Sequence, residues 1–193
     1  GISLKEYANS FRESCLPVEK FLTIAIEISS TLHYLYCQKI IHKDIKPANI
    51  LINPHTRQVK LIDFSIASSL PREMQALTSL NVLEGTLSYL APEQTGRMNR
   101  GIDYRTDFYA LGVTFYELLT GQLPFQSEDL MELVHCHIAK QPIPIHLIEP
   151  SLPPVLSAIV TKLMAKNAED RYQSALGLKH DLEVCLQKWI DTG

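Results

Sequence analysis

His42-Lys43-Asp44-Ile45-Lys46-Pro47-Ala48-Asn49 is the stretch that decides how the rest of the chain is read. One short loop holds a carboxylate, an ammonium and an amide at fixed offsets. Phosphoryl transfer from ATP needs that set: an acceptor for the proton of a substrate hydroxyl, a cation for the transferred group, and an oxygen ligand for Mg²⁺. A run of His, Asp, Asn and Pro is also ordinary turn chemistry, so its neighbours have to decide.

Outward from the loop, Ile50-Leu51-Ile52 reads as a short buried strand. Asn53 to Gln58 is a polar turn and Val59-Lys60-Leu61-Ile62 a second strand. That hairpin ends in Asp63-Phe64-Ser65. From Ser65 to Ser88 the sequence is Ser/Thr-rich and weakly periodic, which predicts a long loop. Gly85-Thr86, Tyr89 and Ala91-Pro92-Glu93 follow at its far end.

The flanks are helical. Leu4 to Ala8 predicts a short helix. Val18 to Cys37 carries apolar residues nearly all round, including Phe21, Ile24, Ile26, Ile28 and Leu32, a pattern that predicts a buried helix. Thr106-Asp107 reads as the cap of a central buried helix that runs to about Thr120 and stops at Gly121. Ser127–Ala139, Pro154–Met164 and Ser174–Ile190 read as further helices, with Trp189 anchoring the last. Pro142 to Pro154 reads as a rigid loop. The fold class is mainly α, a helical bundle with a small β-hairpin beside the His42–Asn49 loop.

The chain's 193 residues suit one domain, and an apolar share of 46% is enough for a packed core. A net charge of −3 gives no electrostatic footprint for nucleic acid or an anionic membrane. No apolar run approaches the ~20 residues a spanning helix needs, and no signal-peptide pattern is present. Cys15, Cys37, Cys136 and Cys185 are scattered and form no CxxC pair, so they read as reduced, mostly buried thiols of a cytoplasmic protein. His135-Cys136-His137 looks like a metal tract. Residues two apart on a helix do not share a face, however, so the tract reads as the exposed and half-buried sides of one helix.

His42–Asn49 resembles the catalytic loop H-R-D-x-x-x-x-N of eukaryotic-type Ser/Thr protein kinases, with Lys43 where Arg is usual. Asp63-Phe64-Ser65 resembles the D-F-G motif, with Ser for Gly. Gly85 to Glu93 resembles the end of a kinase activation segment. Order and spacing together resemble the C-terminal lobe of that family across nearly the whole chain. The resemblance implies ATP and Mg²⁺ as cofactors and a protein as substrate. It implies Asp44 as the general base and Lys46 as the cation on the transferred phosphoryl group. Asn49 and Asp63 would be the metal ligands, and Leu51 the floor beneath adenine. Thr86 would seat a Ser/Thr acceptor with Lys46. His42 and Phe64 would belong to the hydrophobic spine, Asp107 would hold the catalytic loop by its backbone N–H groups, and Glu93 with Arg171 would form a buried ion pair. The resemblance also makes Lys43 a poor partner for a phosphorylated loop, whose best acceptors are Thr78 and Ser79.

The segment Gln94 to Asp107 is similar to the kinase-like domain at the head of very large bacterial signalling proteins, which implies further signalling domains in the same polypeptide. Arg97 and Arg100 in it read as contacts for an acidic substrate or a neighbouring domain, or as solvated charges. No G-x-G-x-x-G can be built from the glycines, and Gly1-Ile2-Ser3-Leu4 looks like the end of an inter-lobe hinge. Residues 1–193 therefore read as a C-terminal lobe whose N-terminal lobe is absent, inactive by itself. Two rival readings stand beside a Ser/Thr kinase. One is a pseudokinase-type interaction module, favoured by Lys43 and Ser65. The other is a small-molecule phosphotransferase, opposed by the Gly85–Glu93 segment.

Overall fold

The computed structural model describes residues 1–11, 16–69, 87–97 and 101–192. The chain opens on β1 (Ile2–Ser3) and passes straight into α1 (Leu4–Asn9). Ser3 and Glu6 form a capping box: the Glu6 N–H donates to Ser3 Oγ and the Ser3 N–H donates to the Glu6 carboxylate at 2.9 Å. α2 (Val18–Cys37) follows. Its buried residues Phe21, Leu22, Ile24, Ala25, Ile28, Ser29, Leu32 and Leu35 recur at helical spacing. The opposite face is open, with Glu19, Lys20 and Glu27 exposed and Tyr34 at 66% exposure. α2 is therefore amphipathic, not buried all round; Ile26, counted as core from the sequence, lies only partly buried at the edge of the stripe.

β2 (Ile40–Ile41) leads into the His42–Asn49 loop. β3 (Ile50–Ile52) and β4 (Val59–Leu61) form the antiparallel hairpin beyond it, and β1 pairs with the other side of β3, giving the order β1-β3-β4. β5 (Ser68–Ser69) pairs antiparallel with β2, Ile41 opposite Ser68. This pairing lies inside the stretch read as loop, because two-residue strands carry no alternation that a sequence could display.

α3 (Arg105–Thr120) is the centre of the molecule, with an unbroken buried run from Thr106 to Tyr116. Gly121 ends it at φ 71, a left-handed conformation suited to glycine. Thr106 and Asp107 do not cap this helix. They lie within its first turn, and their side chains reach Glu93 and the His42–Lys43 backbone instead.

α4 (Leu130–Ala139) starts later than the pattern suggested, because Asp129 caps it by accepting from the Met131 and Glu132 N–H groups. α5 (Ile145–Ile148) is a single turn after Pro144 inside the stretch expected to be loop. α6 (Pro154–Leu163) crosses α3 closely: a Cβ on Gly112 would stand 2.8 Å from Leu163 Cβ and 2.7 Å from Met164 Cγ. α7 (Ala175–Thr192) packs along α2, and Trp189 sits partly buried against the core. The architecture is mostly helical with one small sheet beside the loop. Among the described residues no helix is long and apolar enough to cross a membrane.

The tract His135-Cys136-His137 divides differently from its expectation. His135 is exposed, but Cys136 and His137 are both buried, His137 completely. Cys37 is an exposed free thiol and Cys185 a buried one; Cys15 lies outside the described residues.

Candidate active site

The His42–Asn49 loop has little regular structure, so its shape must be imposed from outside. Asp107, fully buried in the first turn of α3, does this. Its Oδ2 accepts from the His42 N–H at 2.9 Å and its Oδ1 from the Lys43 N–H at 2.7 Å. The Tyr36 hydroxyl adds a longer bond to Oδ2 at 3.4 Å. Burial pushes the Asp107 carboxyl up to about 6, against the two backbone N–H groups that pull it down. Lys43 is held there at φ 69, a conformation that costs a non-glycine residue on the order of 1–3 kcal/mol. Its carbonyl accepts from Gln94 Nε2 at 3.3 Å, which ties the 3₁₀ turn Pro92–Thr95 to the loop.

Asp44 is 8% exposed. Its Oδ2 accepts from Lys46 Nζ at 2.8 Å and from Asn49 Nδ2 at 2.7 Å. Its Oδ1 is buried and has no hydrogen-bond partner among the described residues. Asn49 is brought back towards Asp44 by the 3₁₀ turn Pro47–Asn49, and its Nδ2 also donates to the Asp44 carbonyl at 3.0 Å. Committing the amide nitrogen to Asp44 turns the amide oxygen away from it.

His42 is neutral, because burial lowers its affinity for a proton. Its Nδ1 accepts from the Asp44 N–H at 3.3 Å, which leaves Nε2–H to donate to the Ile62 carbonyl at 3.0 Å. The Phe64 ring packs on the imidazole with centroids 4.6 Å apart, and Phe64 is 44% exposed on its other side. Asp63 follows β4 at φ 63 and is exposed. Hydrogen bonds from the Ser65 side chain and backbone hold its carboxyl below the usual range, the backbone one at 3.3 Å. Leu51, half-buried on β3, lies between Ser3 of β1 and Lys60 of β4.

Glu93 and Arg171 form a bidentate pair, Nη1 to Oε1 at 2.7 Å and Nη2 to Oε2 at 2.9 Å. The remaining guanidinium protons go to the carbonyls of Ala165, Arg105 and Lys166, and Thr106 Oγ1 donates to Glu93 Oε1 at 2.8 Å. Burial would raise the Glu93 carboxyl, but the Arg171 bonds and charge outweigh it and hold it low.

The structure thus gathers Asp44, Lys46, Asn49, His42 and Phe64 around one loop, with Asp63 near enough for its charge to act on His42. Asp107 braces that loop directly, and the Glu93–Arg171 pair reaches it through Gln94. Thr86, Thr78, Ser79 and Arg100 lie outside the described residues. Sequence reasoning missed Gln94, Tyr36 and Thr106. Each acts on a partner distant in sequence, and no local spacing signals it.

Residues 1–182 match the family model described as the protein kinase domain. The chain is 36% identical over 96% of its length to a probable serine/threonine-protein kinase of Streptomyces coelicolor, and spans 27% of that protein. It is 34% identical over 94% of its length to serine/threonine-protein kinase PknB of Mycobacterium tuberculosis, spanning 28% of it. It is 31% identical over 91% of its length to hybrid signal transduction histidine kinase G of Dictyostelium discoideum, of which it spans 7%. A loop with one carboxylate oxygen bonded to an ammonium and an amide, braced from a central helix, is thus found in a chain matched over residues 1–182 by the protein kinase domain: it belongs to the protein kinase family.

Proposed function

We propose that this chain is the catalytic C-terminal lobe of a Ser/Thr protein kinase that transfers the γ-phosphoryl group of ATP to protein hydroxyls. The observation that carries the reading is the Asp44 carboxylate. One oxygen is fixed by Lys46 and Asn49, while the other is buried and unpartnered. A buried oxygen without a donor is costly unless a ligand supplies one, and a substrate hydroxyl is such a donor. Asp44 Oδ1 would accept that proton as the oxygen attacks phosphorus. Lys46, held beside Oδ2, would place its charge on the transferred group. Both acidic and amide oxygens for Mg²⁺ are present: the Asn49 oxygen turned away from Asp44, and the Asp63 carboxylate, kept ionised by Ser65. Bound Mg²⁺ would neutralise phosphate charge. Leu51 would floor the adenine, His42 and Phe64 would form the apolar stack behind it, and Thr86 would seat the acceptor side chain.

The Ser/Thr class is supported by Lys46 and by the likeness to serine/threonine-protein kinases of Streptomyces and Mycobacterium. A missing N-terminal lobe and further signalling domains are supported by the small share of each relative that the chain spans. Partly exposed Ile2, Ile62, Phe64 and Ile66 offer apolar surface for that lobe. Free Cys37, Cys136 and Cys185 support a cytoplasmic location. The test is transfer of labelled phosphate by the full-length protein to a Ser/Thr-containing protein, lost in Asp44→Asn.

One observation favours the second reading, an interaction module without transfer. The Ser65 side chain, which Gly would lack, adds a hydrogen bond to the Asp63 carboxylate that a metal would otherwise take. Calorimetry of the full-length protein separates the two. Mg²⁺-dependent ATP binding supports the kinase, and none at millimolar ATP supports the interaction module.

A further inference from the structure

His137 is a histidine with no place in the chemistry above, and it is completely buried on α4. Its ring meets Phe125 edge-on at 5.2 Å and Tyr109 of α3 at 5.7 Å. The Tyr109 hydroxyl lies 3.0 Å from Nδ1. Lys166 Nζ donates to the Cys136 and His137 carbonyls at 3.2 and 2.9 Å, tying down the last turn of α4. Burial first, and then the Lys166 charge, lower the imidazole to about 4, so the ring is neutral at working pH. The Tyr109 hydroxyl reaches Nδ1 at 3.0 Å and the His137 carbonyl only at 3.5 Å; assigned to the shorter contact, its proton goes to Nδ1 and the one ring proton sits on Nε2.

That Nε2–H is buried and has no acceptor at hydrogen-bond distance among the described residues. The 3₁₀ turn Leu87–Tyr89 packs on α4 beside it, and the Ser88 backbone acts on the ring in the direction that raises its proton affinity, although Nε2 has no partner of hydrogen-bond geometry among the described residues. Ser88 is the middle residue of that turn. The turn leads directly into Ala91-Pro92-Glu93, and so into the Arg171 pair and the Gln94 tie to Lys43. Tyr89 itself is fastened to Glu117 of α3.

We propose that His137 is a positioning residue for the protein substrate: its Nε2–H is poised to close onto the Ser88 backbone when a substrate chain lies along Leu87–Tyr89. This rests on the kinase reading above, in which that turn adjoins Thr86 and the acceptor hydroxyl. An unclosed buried donor next to a backbone that would carry the substrate is a bond held in reserve. Completing it on binding favours the protein substrate and leaves ATP untouched. The arrangement also makes α4, through Tyr109 and Lys166, the support of the substrate-binding turn.

The side-chain nitrogen of Gln lies near the place of Nε2, and that of Asn near Nδ1. His137→Gln therefore keeps the donor towards Ser88, and His137→Asn removes it. In the full-length protein, His137→Asn is expected to raise the KM for a protein substrate about tenfold while the KM for ATP stays within about twofold, with His137→Gln close to wild type. Equal protein KM in wild type and both variants would overturn the proposal, as would parallel rises in both KM values. Hydrogen exchange at the Leu90 amide, which bonds to the Leu87 carbonyl, supplies a readout without turnover. With a protein substrate bound, faster exchange in His137→Asn but not in His137→Gln supports the hold on this turn, and equal exchange in all three overturns it. If the wild type transfers no phosphate, the kinase reading itself fails; if it transfers phosphate and His137→Asn matches it in protein KM and exchange, only the role of His137 fails.

Discussion

Arg171 and Glu93, 78 residues apart in the chain, meet through two parallel N–H···O bonds at a point where both side chains are at least 98% shielded from solvent. All five guanidinium protons have acceptors, three of them backbone carbonyls. Removing the cation would leave a buried carboxylate and several unmet carbonyls. Arg171→Ala is expected to lower stability by about 3–5 kcal/mol. Arg171→Lys should recover less than half of that, since an ammonium cannot serve both carboxylate oxygens and three carbonyls. Urea unfolding of the variants checks both. The low Glu93 carboxyl gives the pair a pH signature: its stabilisation is present above the ordinary Glu value of 4.5 and is lost as the pH falls below it.

Asp107 has the opposite sign. Its carboxyl is raised from the ordinary 3.8 to about 6, so its contribution is full below 3.8 and is lost as the pH rises through about 6. Asp107→Asn can accept only one of the two N–H groups and turns an NH₂ towards the other. A loss of about 1–3 kcal/mol is expected at pH 7. The gap between wild type and variant should widen from pH 7 towards pH 4. A gap that narrows over that range would contradict the burial-driven shift.

Asp44→Asn in the full-length protein is expected to lower kcat by about 10²–10⁴-fold while ATP affinity stays within about threefold. The amide keeps the shape of the carboxylate but puts an NH₂ at one of the two oxygen positions. Single-turnover transfer alongside nucleotide titration makes the distinction. Turnover like the wild type would remove Asp44 from the mechanism.

Gly112 tests the packing of α3 on α6. In an open helix Ala would be better than Gly by about 1 kcal/mol. Here the added methyl meets Leu163 Cβ at 2.8 Å and the Met164 backbone nitrogen at 3.2 Å. Backbone cannot step aside cheaply, so the clash decides the sign. Gly112→Ala is expected to cost about 1–3 kcal/mol, read as a lower unfolding midpoint. A stabilised variant would show that α6 shifts freely.

Ser65→Gly should release one of the hydrogen bonds that hold the Asp63 carboxyl low, and let its pKa rise. If Ser65 does not obstruct the metal, the Mg²⁺·ATP dissociation constant of the full-length protein changes by less than about threefold, or ~0.65 kcal/mol. A gain in affinity beyond tenfold would mean that Ser65 restrains the site.

Legibility followed the range of each interaction. The residues clustered at Asp44 stood out because chemistry demands particular side chains a few positions apart. The helices over 18–37 and 106–120 were visible in their apolar patterning. Asp107 shows the limit: by local rules it is a helix cap, and only its position relative to His42 and Lys43 makes it something else. The β2–β5 pair is too short to leave a pattern. α5 sits among prolines that read as loop. The environment of His137 is assembled from Phe125, Tyr109 and Lys166, and none of them marks it from a distance in sequence.

The brace from Asp107 to the His42 and Lys43 amides has one more consequence. Residues 42–49 contain the proposed base, its cation and one metal-binding amide, but not the means of arranging them. Transplanted onto another scaffold, the octapeptide would bring its carboxylate, ammonium and amide without their mutual angles. The heritable unit here is the loop together with the first turn of a helix that lies more than sixty positions downstream.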